Sequence, residues 1–269
     1  MGCPGVALAS VLRWNPPCNP IQRDQPVIPI KDDNPTELTP VVTIALIVAN
    51  VLAWLFLQGA GANQQALEAS VWSYGAVPCE LTHACIREHG GLGWAELFTS
   101  MFMHGGWEHI IGNMLFLWVF GNNIEDSMGH ARFLVFYLVC GVVAGLAHVF
   151  LMPSSDVPTV GASGAISGVM GAYVVLYPQA RVQTWIPPLF VMRIRAWFFL
   201  IYWFALQLLT GVGSLGTGET GGVAVWAHVG GFLAGLALIK PFENRKLVWA
   251  RTHGVVLPPQ DVARDEWKL

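Results

Sequence analysis

Charged side chains are scarce in this sequence. Asp, Glu, Lys and Arg make up 12% of the 269 residues, whereas hydrophobic residues make up 54%. Soluble globular domains carry roughly 25% charged residues, and the mean hydropathy of this chain is correspondingly high at +0.51. These values exclude an ordinary soluble protein and indicate a polytopic membrane protein. The 14 basic residues are scattered and form no stripe, which argues against nucleic acid as a partner.

Several catalytic and metal-binding patterns are also missing. The interiors of the apolar segments contain no Asp, Glu, Lys or Arg, which excludes a protease built on two intramembrane aspartates. No His-Glu-x-x-His motif of a zinc protease occurs either. The run from Cys79 to His89 alternates Cys and His, but its spacing fits none of the common structural-zinc patterns. We therefore expect neither a metal nor an organic cofactor. A disulfide between Cys79 and Cys85 is expected if their loop faces an oxidising compartment, and two free thiols are the alternative.

What the sequence does contain is six apolar segments, which we predict to be the membrane helices of an all-α bundle. A long polar loop over about residues 59–105 follows the first of them. Residues 1–40 have no sustained apolar core, so they are interpreted as a cytoplasmic, partly disordered tail rather than a signal peptide. A membrane domain over residues 41–240 and a second cytoplasmic tail over 241–269 complete the predicted division. The segments are Val41–Leu57, Trp107–Phe120, Phe133–Met152, Ser163–Tyr177, Val191–Leu209 and Val223–Ile239.

The distribution of basic residues predicts the orientation in the membrane. If both termini lie inside, 13 of the 14 Lys and Arg residues fall on the inner side and only Arg87 falls outside. This distribution agrees with the positive-inside rule and with an even number of spans. The long first loop, the start of the fourth segment and the loop between the fifth and sixth segments then share the outer side.

Glycine spacing predicts that Ser163 and His228 meet near that outer side. Glycines recur every three or four residues on one face of the fourth segment and on one face of the sixth, and small residues let membrane helices approach closely. Contact between these faces would bring the serine within hydrogen-bond reach of the imidazole, as a base-activated nucleophile requires. The glycines are Gly164, Gly168 and Gly171 in the fourth segment and Gly231 and Gly235 in the sixth.

Alternatives remain open for each of these residues. The same glycines are typical of two membrane helices that pack closely without any catalytic role. In that case Ser163 would be a helix cap. Ser167, one turn further on, is the rival nucleophile but is expected to lie deeper as a packing residue. His148 has no partner at a useful spacing and is interpreted as a packing histidine.

His109 and Asn113 are candidates for stabilising a negatively charged oxygen. They are four residues apart on the second segment, hence on one face. Together with the Ser163 amide, their side chains could donate hydrogen bonds to the oxyanion that forms when a serine attacks a peptide carbonyl, a device worth about 3 kcal/mol per donor. A pair that merely bridges two helices by hydrogen bonds is the alternative.

These motifs, in this order, resemble those of the rhomboid family of intramembrane serine proteases, over about residues 27–241. In the resemblance, Ser163 is the nucleophile of a Gly-x-Ser-Gly motif, His228 is the base, and His109 and Asn113 support the oxyanion. Glu125 falls in a polar turn after the second helix, where the resemblance implies a structural role. The matching stretches are Gly161-Ala162-Ser163-Gly164, Ala227-His228-Val229-Gly230-Gly231 continued by Gly235, His109-Ile110-Ile111-Gly112-Asn113, Gly121-Asn122-Asn123-Ile124-Glu125-Asp126 followed by Gly129, and Ile28-Pro29-Ile30 with Asp32-Asp33-Asn34-Pro35.

The resemblance implies a six-helix, rhomboid-like bundle that cleaves transmembrane protein substrates near their outer ends, with membrane lipids as its other partners. A non-proteolytic member of the same fold, which binds and escorts client helices, is the alternative. One departure is Glu96, which stands where many members have the Arg of a Trp-Arg pair in the first loop. The fifth helix and the stretch from Gly211 to Gly222 are hypothesised to form a lateral gate, and the bacterial inner membrane is the expected location.

Overall fold

The computed structural model describes residues 28–86, 91–186, 190–217, 224–253, 255, 257–265 and 267. Within them the chain is mainly helical, and the predicted all-α class of a polytopic helical bundle is confirmed. Part of the hypothesised gate, residues 218–222, lies outside the described residues, as do Arg87 and His89. The helices are α1 Val41–Leu52, α2 Gln64–Tyr74, α3 Pro78–Leu81, α4 Glu96–Thr99, α5 Trp107–Met128, α6 His130–Leu151, α7 Ser163–Leu176, α8 Ala196–Thr217, α9 Val225–Phe242, α10 Arg245–Thr252 and α11 Pro259–Asp265. The strands are β1 Ile28–Asp32, β2 Arg181–Ile186 and β3 Phe190–Arg195.

Each of the six predicted segments overlaps one helix of the bundle: α1, α5, α6, α7, α8 and α9. Among the described residues, α6, the first 18 residues of α8 and α9 are long and apolar enough to cross a membrane by length and composition. The helical stretch Val41–Leu57, which extends α1 by a short π-helical turn, and α7 are apolar but shorter. Helix α5 has 22 residues and includes Glu108, Glu125 and Asp126.

Helix α7 forms the centre of the bundle. Every residue from Gly164 to Tyr173 is buried, which explains why this segment is apolar on all sides rather than amphipathic. The backbones of α7 and α9 touch: a Cβ added at Gly231 would overlap the carbonyl oxygen of Gly164, and one at Gly235 would overlap that of Gly168. On another side, a Cβ at Gly168 would lie 2.5 Å from the Cβ of Cys140 on α6. Glycine therefore sets the distance between these helices.

A three-stranded antiparallel sheet joins the start of the chain to the connection between α7 and α8. Strand β1 pairs with β2, with Ile28 opposite Trp185 and Asp32 opposite Val182, and β2 pairs with β3. The sequence pattern does not predict this sheet. The prediction that the fifth membrane segment begins at Val191 is wrong: Val191–Arg195 belong to β3, and the helix begins at Ala196. Pairing with β2 satisfies their backbone hydrogen-bonding groups in place of a helical turn.

The stretch predicted to be a polar turn after the second helix is instead the last part of α5, which continues to Met128. The polar side chains of this part accept hydrogen bonds from the first turn of α1 and from the segment before it. The buried carboxylate of Glu125 accepts hydrogen bonds from the Val42 and Thr43 amides, each at 2.8 Å, and from the Thr43 hydroxyl at 2.7 Å. Nδ1 of His130 also lies within hydrogen-bond distance of Oε1 of Glu125. A carboxylate here caps the amino terminus of α1, whose first amides have no helical partner.

Residues 28–40, predicted to belong to a partly disordered tail, are held against the ends of α5 and α7. Asp32 is buried, and its Oδ2 accepts hydrogen bonds from the Asn123 side chain at 2.6 Å and from the Tyr173 hydroxyl at 2.5 Å. Asp126 accepts from the amides of Glu37 and Leu38. The disorder expectation is therefore wrong for this part, whereas residues 1–27 lie outside the described residues.

The first loop folds into short helices on the amino-terminal side of α5. Cys79 and Cys85 form a disulfide, one of the two alternatives that the sequence left open. Glu96 is buried at the start of α4, and its Oε1 accepts a hydrogen bond of 2.9 Å from the Gly93 amide. In this chain the residue at the position of the expected Arg therefore stabilises the turn that leads into α4.

Candidate active site

Ser163 is the first residue of α7 and is half-buried. The preceding turn is fixed by a hydrogen bond of 2.9 Å from the Gly161 amide to the Ser100 carbonyl. Gly161 has a φ of 120°, a conformation that residues with a side chain rarely adopt. A Cβ there would also lie 2.7 Å from Nε2 of His109. Glycine at this position thus permits both the turn that presents Ser163 and the close approach of His109.

The hydroxyl of Ser163 lies next to the imidazole of His228 on α9. Their Oγ and Nε2 atoms are 2.8 Å apart, within hydrogen-bond distance. The glycine contacts between α7 and α9 bring the two helices this close, as the spacing predicted. The other ring nitrogen of His228, Nδ1, lies 2.8 Å from Oε1 of Gln207 on α8. The ring of Trp203, one turn earlier on α8, packs against the imidazole with a centroid distance of 5.7 Å.

His109 and Asn113 lie on the face of α5 that points towards Ser163. The Gly105 amide donates to Nδ1 of His109 at 3.3 Å, so the ring proton of a neutral His109 lies on Nε2, which faces the position of a Gly161 side chain. The Nδ2 of Asn113 is buried and has no hydrogen-bond partner among the described residues. Two hydrogen-bond donors, Nε2 of His109 and Nδ2 of Asn113, therefore lie beside Ser163. Among the described residues, the Asn113 donor has no acceptor.

A fixed contact holds His109 from the side of the first loop. The His104 backbone is tied to Gln58 by two hydrogen bonds of 2.8 Å, and the His104 ring packs edge-on against that of His109 at 5.2 Å. Burial is the main cause that lowers the pKa of His104 to about 3, and the nearby His109 lowers it further. A neutral His104 therefore adds no positive charge beside the donors.

A cavity of about 410 Å³ joins these groups. Ser163, His228, His109 and Asn113 all line it, and Phe116, Ile166 and Met170 provide apolar walls. The loop over residues 155–160 and the exposed side chain of Glu108 form its rim on the side of the first loop. The cavity is large enough for a stretch of extended peptide next to the hydroxyl.

The two residues interpreted as packing residues also line this cavity. The Ser167 hydroxyl donates to the Ser163 carbonyl at 2.6 Å, so it is engaged one turn back along its own helix. His148 is buried on α6, and its Nδ1 has no hydrogen-bond partner among the described residues. His148 is therefore a wall residue of the cavity rather than a remote packing histidine.

The site has no resemblance to a metal centre. Within the described part of the chain, no group of three or more His, Cys, Asp or Glu side chains is arranged to hold a metal ion. His109 and His228 instead make hydrogen bonds or aromatic contacts with protein groups.

Comparison with known families decides which class of protein carries this arrangement. The family model described as Rhomboid domain matches residues 92–243, more than half of the chain. The chain belongs to the rhomboid family. The match contains all four residues that converge on the cavity, and it confirms the family resemblance deduced from the three ordered motifs.

Curated rhomboid relatives show limited similarity. Rhomboid protease GluP of Bacillus subtilis (strain 168) is 40% identical over 85 residues, which cover 31% of this chain and 16% of that protein. Putative rhomboid protease YdcA of the same organism is 32% identical over 83 residues, 31% of this chain and 41% of that protein. Rhomboid-like protein 11, chloroplastic, of Arabidopsis thaliana is 34% identical over 88 residues, 33% of this chain and 31% of that protein. The chain thus spans less than half the length of each of these relatives.

The sequence patterns do not point to three contributors to this site. Gln207 and Trp203 lie inside an apolar segment and on a different helix from His228, so helical spacing gives no signal. Gly105 acts through its backbone amide, which any residue except proline would supply. The one available signal was the amide side chain of Gln207 in an apolar membrane segment. Such a group seldom lies in lipid without a hydrogen-bond partner, so it indicates a partner on another helix.

Proposed function

We propose that this rhomboid is an intramembrane serine endopeptidase that cleaves transmembrane protein substrates near the outer membrane face. The observation that carries the proposal is the distance of 2.8 Å between Ser163 Oγ and His228 Nε2 at the wall of a peptide-sized cavity. A half-buried hydroxyl hydrogen-bonded to an imidazole is the arrangement of a serine activated by a general base. The proteases named among the relatives support the same reaction class.

The proposed reaction begins when Oγ of Ser163 attacks a substrate carbonyl carbon and its proton moves to Nε2 of His228. The carbonyl oxygen becomes an oxyanion, which accepts hydrogen bonds from the Ser163 amide, His109 Nε2 and Asn113 Nδ2. When the carbon–nitrogen bond breaks, His228 transfers the proton to the leaving amine. Water then attacks the acyl-enzyme, giving its proton to His228, and hydrolysis regenerates the Ser163 hydroxyl and releases the new carboxyl group.

A substrate helix must unwind locally before this attack, because a helical peptide bond is shielded and its carbonyl is already hydrogen-bonded. The cavity beside Ser163 provides room for extended backbone next to the nucleophile. Exposed apolar side chains on α8, such as Leu206 and Leu209, are suited to contact with lipid or with a substrate helix. Membrane lipids and transmembrane proteins are therefore the proposed partners.

The orientation proposed from the basic residues puts the first loop outside and both termini in the cytoplasm, with residues 1–40 and 241–269 flanking the membrane domain. The disulfide between Cys79 and Cys85 supports an oxidising location for that loop. The inner membrane of a bacterium is the proposed setting.

Labelling of introduced cysteines tests this orientation. A membrane-impermeant thiol reagent applied to intact cells should label the Thr82→Cys variant at that position but not the Lys246→Cys variant. The reverse labelling would overturn this orientation.

Cleavage of a single-span reporter substrate by the purified protein in liposomes tests the function. Wild type should release two fragments, and Ser163→Ala should abolish cleavage while still binding the substrate. Ser167→Ala is the matched control and should retain most of the activity, because its hydroxyl bonds only to a backbone carbonyl. Cleavage that survives Ser163→Ala would overturn the assignment, and binding without cleavage by wild type would favour a protein that escorts client helices.

A further inference from the structure

Gln207 lies where an orienting group for His228 would have to lie. Helix α8 is largely exposed, with Leu206 exposed at 41% and Leu209 at 71%, whereas Gln207 is half-buried on the face towards α9. Its Oε1 is 2.8 Å from Nδ1 of His228. Thr210, one turn away on the same helix, bonds to the Leu206 carbonyl of its own helix. Within the described part of α8, Gln207 is thus the polar side chain that reaches the imidazole.

The chemistry of an amide oxygen determines what this contact does. An amide oxygen only accepts hydrogen bonds, so Nδ1 of His228 must carry the proton. A neutral imidazole with its proton on Nδ1 has its lone pair on Nε2, the atom that faces Ser163 Oγ. The opposite tautomer would direct an N–H at the serine and could not accept its proton.

We propose that Gln207 is the positioning residue that keeps His228 in the tautomer and orientation able to deprotonate Ser163. The inference rests on the proposed function and adds a third side chain to the serine and histidine. Gln207 acts through His228 and does not touch the reacting atoms. The Trp203 ring, from the same helix, limits tilting of the imidazole.

The location of Gln207 has a consequence for helix movement. Ser163 and His228 lie on α7 and α9, whose glycine contacts hold them together, whereas Gln207 comes from α8. Displacement of α8 away from α9 would remove Gln207 and Trp203 from the imidazole while leaving the serine and histidine adjacent. His228 is therefore held in the tautomer and orientation that can accept the Ser163 proton only while α8 remains packed against it.

Two activity measurements on purified protein test the role of Gln207. A fluorophosphonate forms a bond from Ser163 Oγ to phosphorus with loss of fluoride, so its labelling rate reports activation of the serine without a substrate helix. Gln207→Ala should lower both this rate and kcat for the reporter substrate about tenfold, the usual effect of one lost hydrogen bond, with KM little changed. Gln207→Glu should restore most of the activity because its side chain again presents an oxygen acceptor. Thr210→Ala, which removes a hydroxyl that bonds to a carbonyl of its own helix, is the control and should match wild type.

The tautomer itself is measurable by ¹⁵N NMR of the histidine rings, with the His228 signals identified from their loss in His228→Ala. Wild type should show His228 protonated on Nδ1, and Gln207→Ala should shift the ring towards protonation on Nε2. Unchanged labelling and cleavage in Gln207→Ala, or an unchanged tautomer, would overturn the inference. If Gln207→Ala behaves like wild type while Ser163→Ala is inactive, the proposed protease function still stands and only the role of Gln207 is overturned. Cleavage by Ser163→Ala would overturn the proposed function itself.

Discussion

At the scale of single residues, the proposed oxyanion donors depend on a backbone that only glycine fits. The φ of 120° at Gly161 and the distance of 2.7 Å from its Cβ position to His109 Nε2 leave no room for a methyl group. A residue with a side chain would have to change the turn before Ser163 or displace His109. Gly161 is therefore tied to the geometry of the nucleophile and of the donors at once.

Asn113→Ala tests the proposed oxyanion role. Removal of one donor typically lowers kcat by about a hundredfold or more, because the negative oxygen exists only after attack. We expect that loss in kcat for the reporter substrate, with KM nearly unchanged and with the folded protein retained. A helix-bridging asparagine would instead affect stability, so the unfolding midpoint is measured alongside.

The buried amide of Asn113 distinguishes the two outcomes. Its Nδ2 has no acceptor among the described residues, so Asn113→Ala should not lower the unfolding midpoint by removing a protein hydrogen bond from that atom. A fall in stability with an unchanged kcat would contradict the oxyanion role and support the bridging interpretation.

At the scale of helices, contact between α7 and α9 determines whether serine and histidine meet. Gly235→Ala would push the two backbones apart, because the new methyl group would overlap the Gly168 carbonyl. We expect a loss of about 3 kcal/mol in the free energy of unfolding, at the upper end for overpacking, and a large loss of fluorophosphonate labelling. Leu233→Ala, on an exposed position of the same helix, is the control. Wild-type labelling in Gly235→Ala would show that the dyad does not depend on this contact.

The same helices show what the sequence could predict. Glycines at spacings of three and four identify a contact face from local geometry alone, so the pairing of Ser163 with His228 followed from the sequence. The pair at His109 and Asn113 followed for the same reason, since both lie on one turn of one helix. The roles of these residues stay proposals.

Other features depend on contacts between distant parts of the chain. Strand β1 pairs with β2, about 150 residues later, and no periodicity within either segment indicates that partner. Helix α5 continues beyond Phe120, where the first turn of α1 supplies donors to Glu125 and the segment before α1 supplies a donor to Asp126. Polar residues are therefore helical where a turn was predicted. Gln207 was missed likewise, since its partner His228 lies on another helix.

At the scale of the whole molecule, Asp32 links the amino-terminal strand to two helices of the bundle. Burial is the main cause that raises its pKa to about 6, against lowering by the Tyr173 hydroxyl and the Asn123 amide. The folded protein therefore binds this proton more tightly than the unfolded chain, whose aspartates have a pKa of about 4. The stabilisation of the folded protein by protonated Asp32 is fully present below about pH 4 and is lost as the pH rises through about 6.

Asp32→Asn tests this linkage. We expect its contribution to the free energy of unfolding, which in wild type falls by about 3 kcal/mol in total as the pH rises from well below 4 to well above 6, to vanish in the variant. The variant should consequently be more stable than wild type at pH 7, since its amide oxygen still accepts from Tyr173. Unfolding in bicelles across this pH range provides the measurement, and Asp156→Asn, on an exposed loop, is the control. Parallel pH profiles for wild type and Asp32→Asn would contradict the assignment.

The proposal that Ser163 is a nucleophile activated by His228 is tested most directly by fluorophosphonate labelling followed by peptide mapping. Wild type should carry the adduct on Ser163, Ser163→Ala should carry none at that position, and His228→Ala should label far more slowly. Wild type without an adduct on Ser163, or labelling of Ser163 at an undiminished rate in His228→Ala, would contradict it.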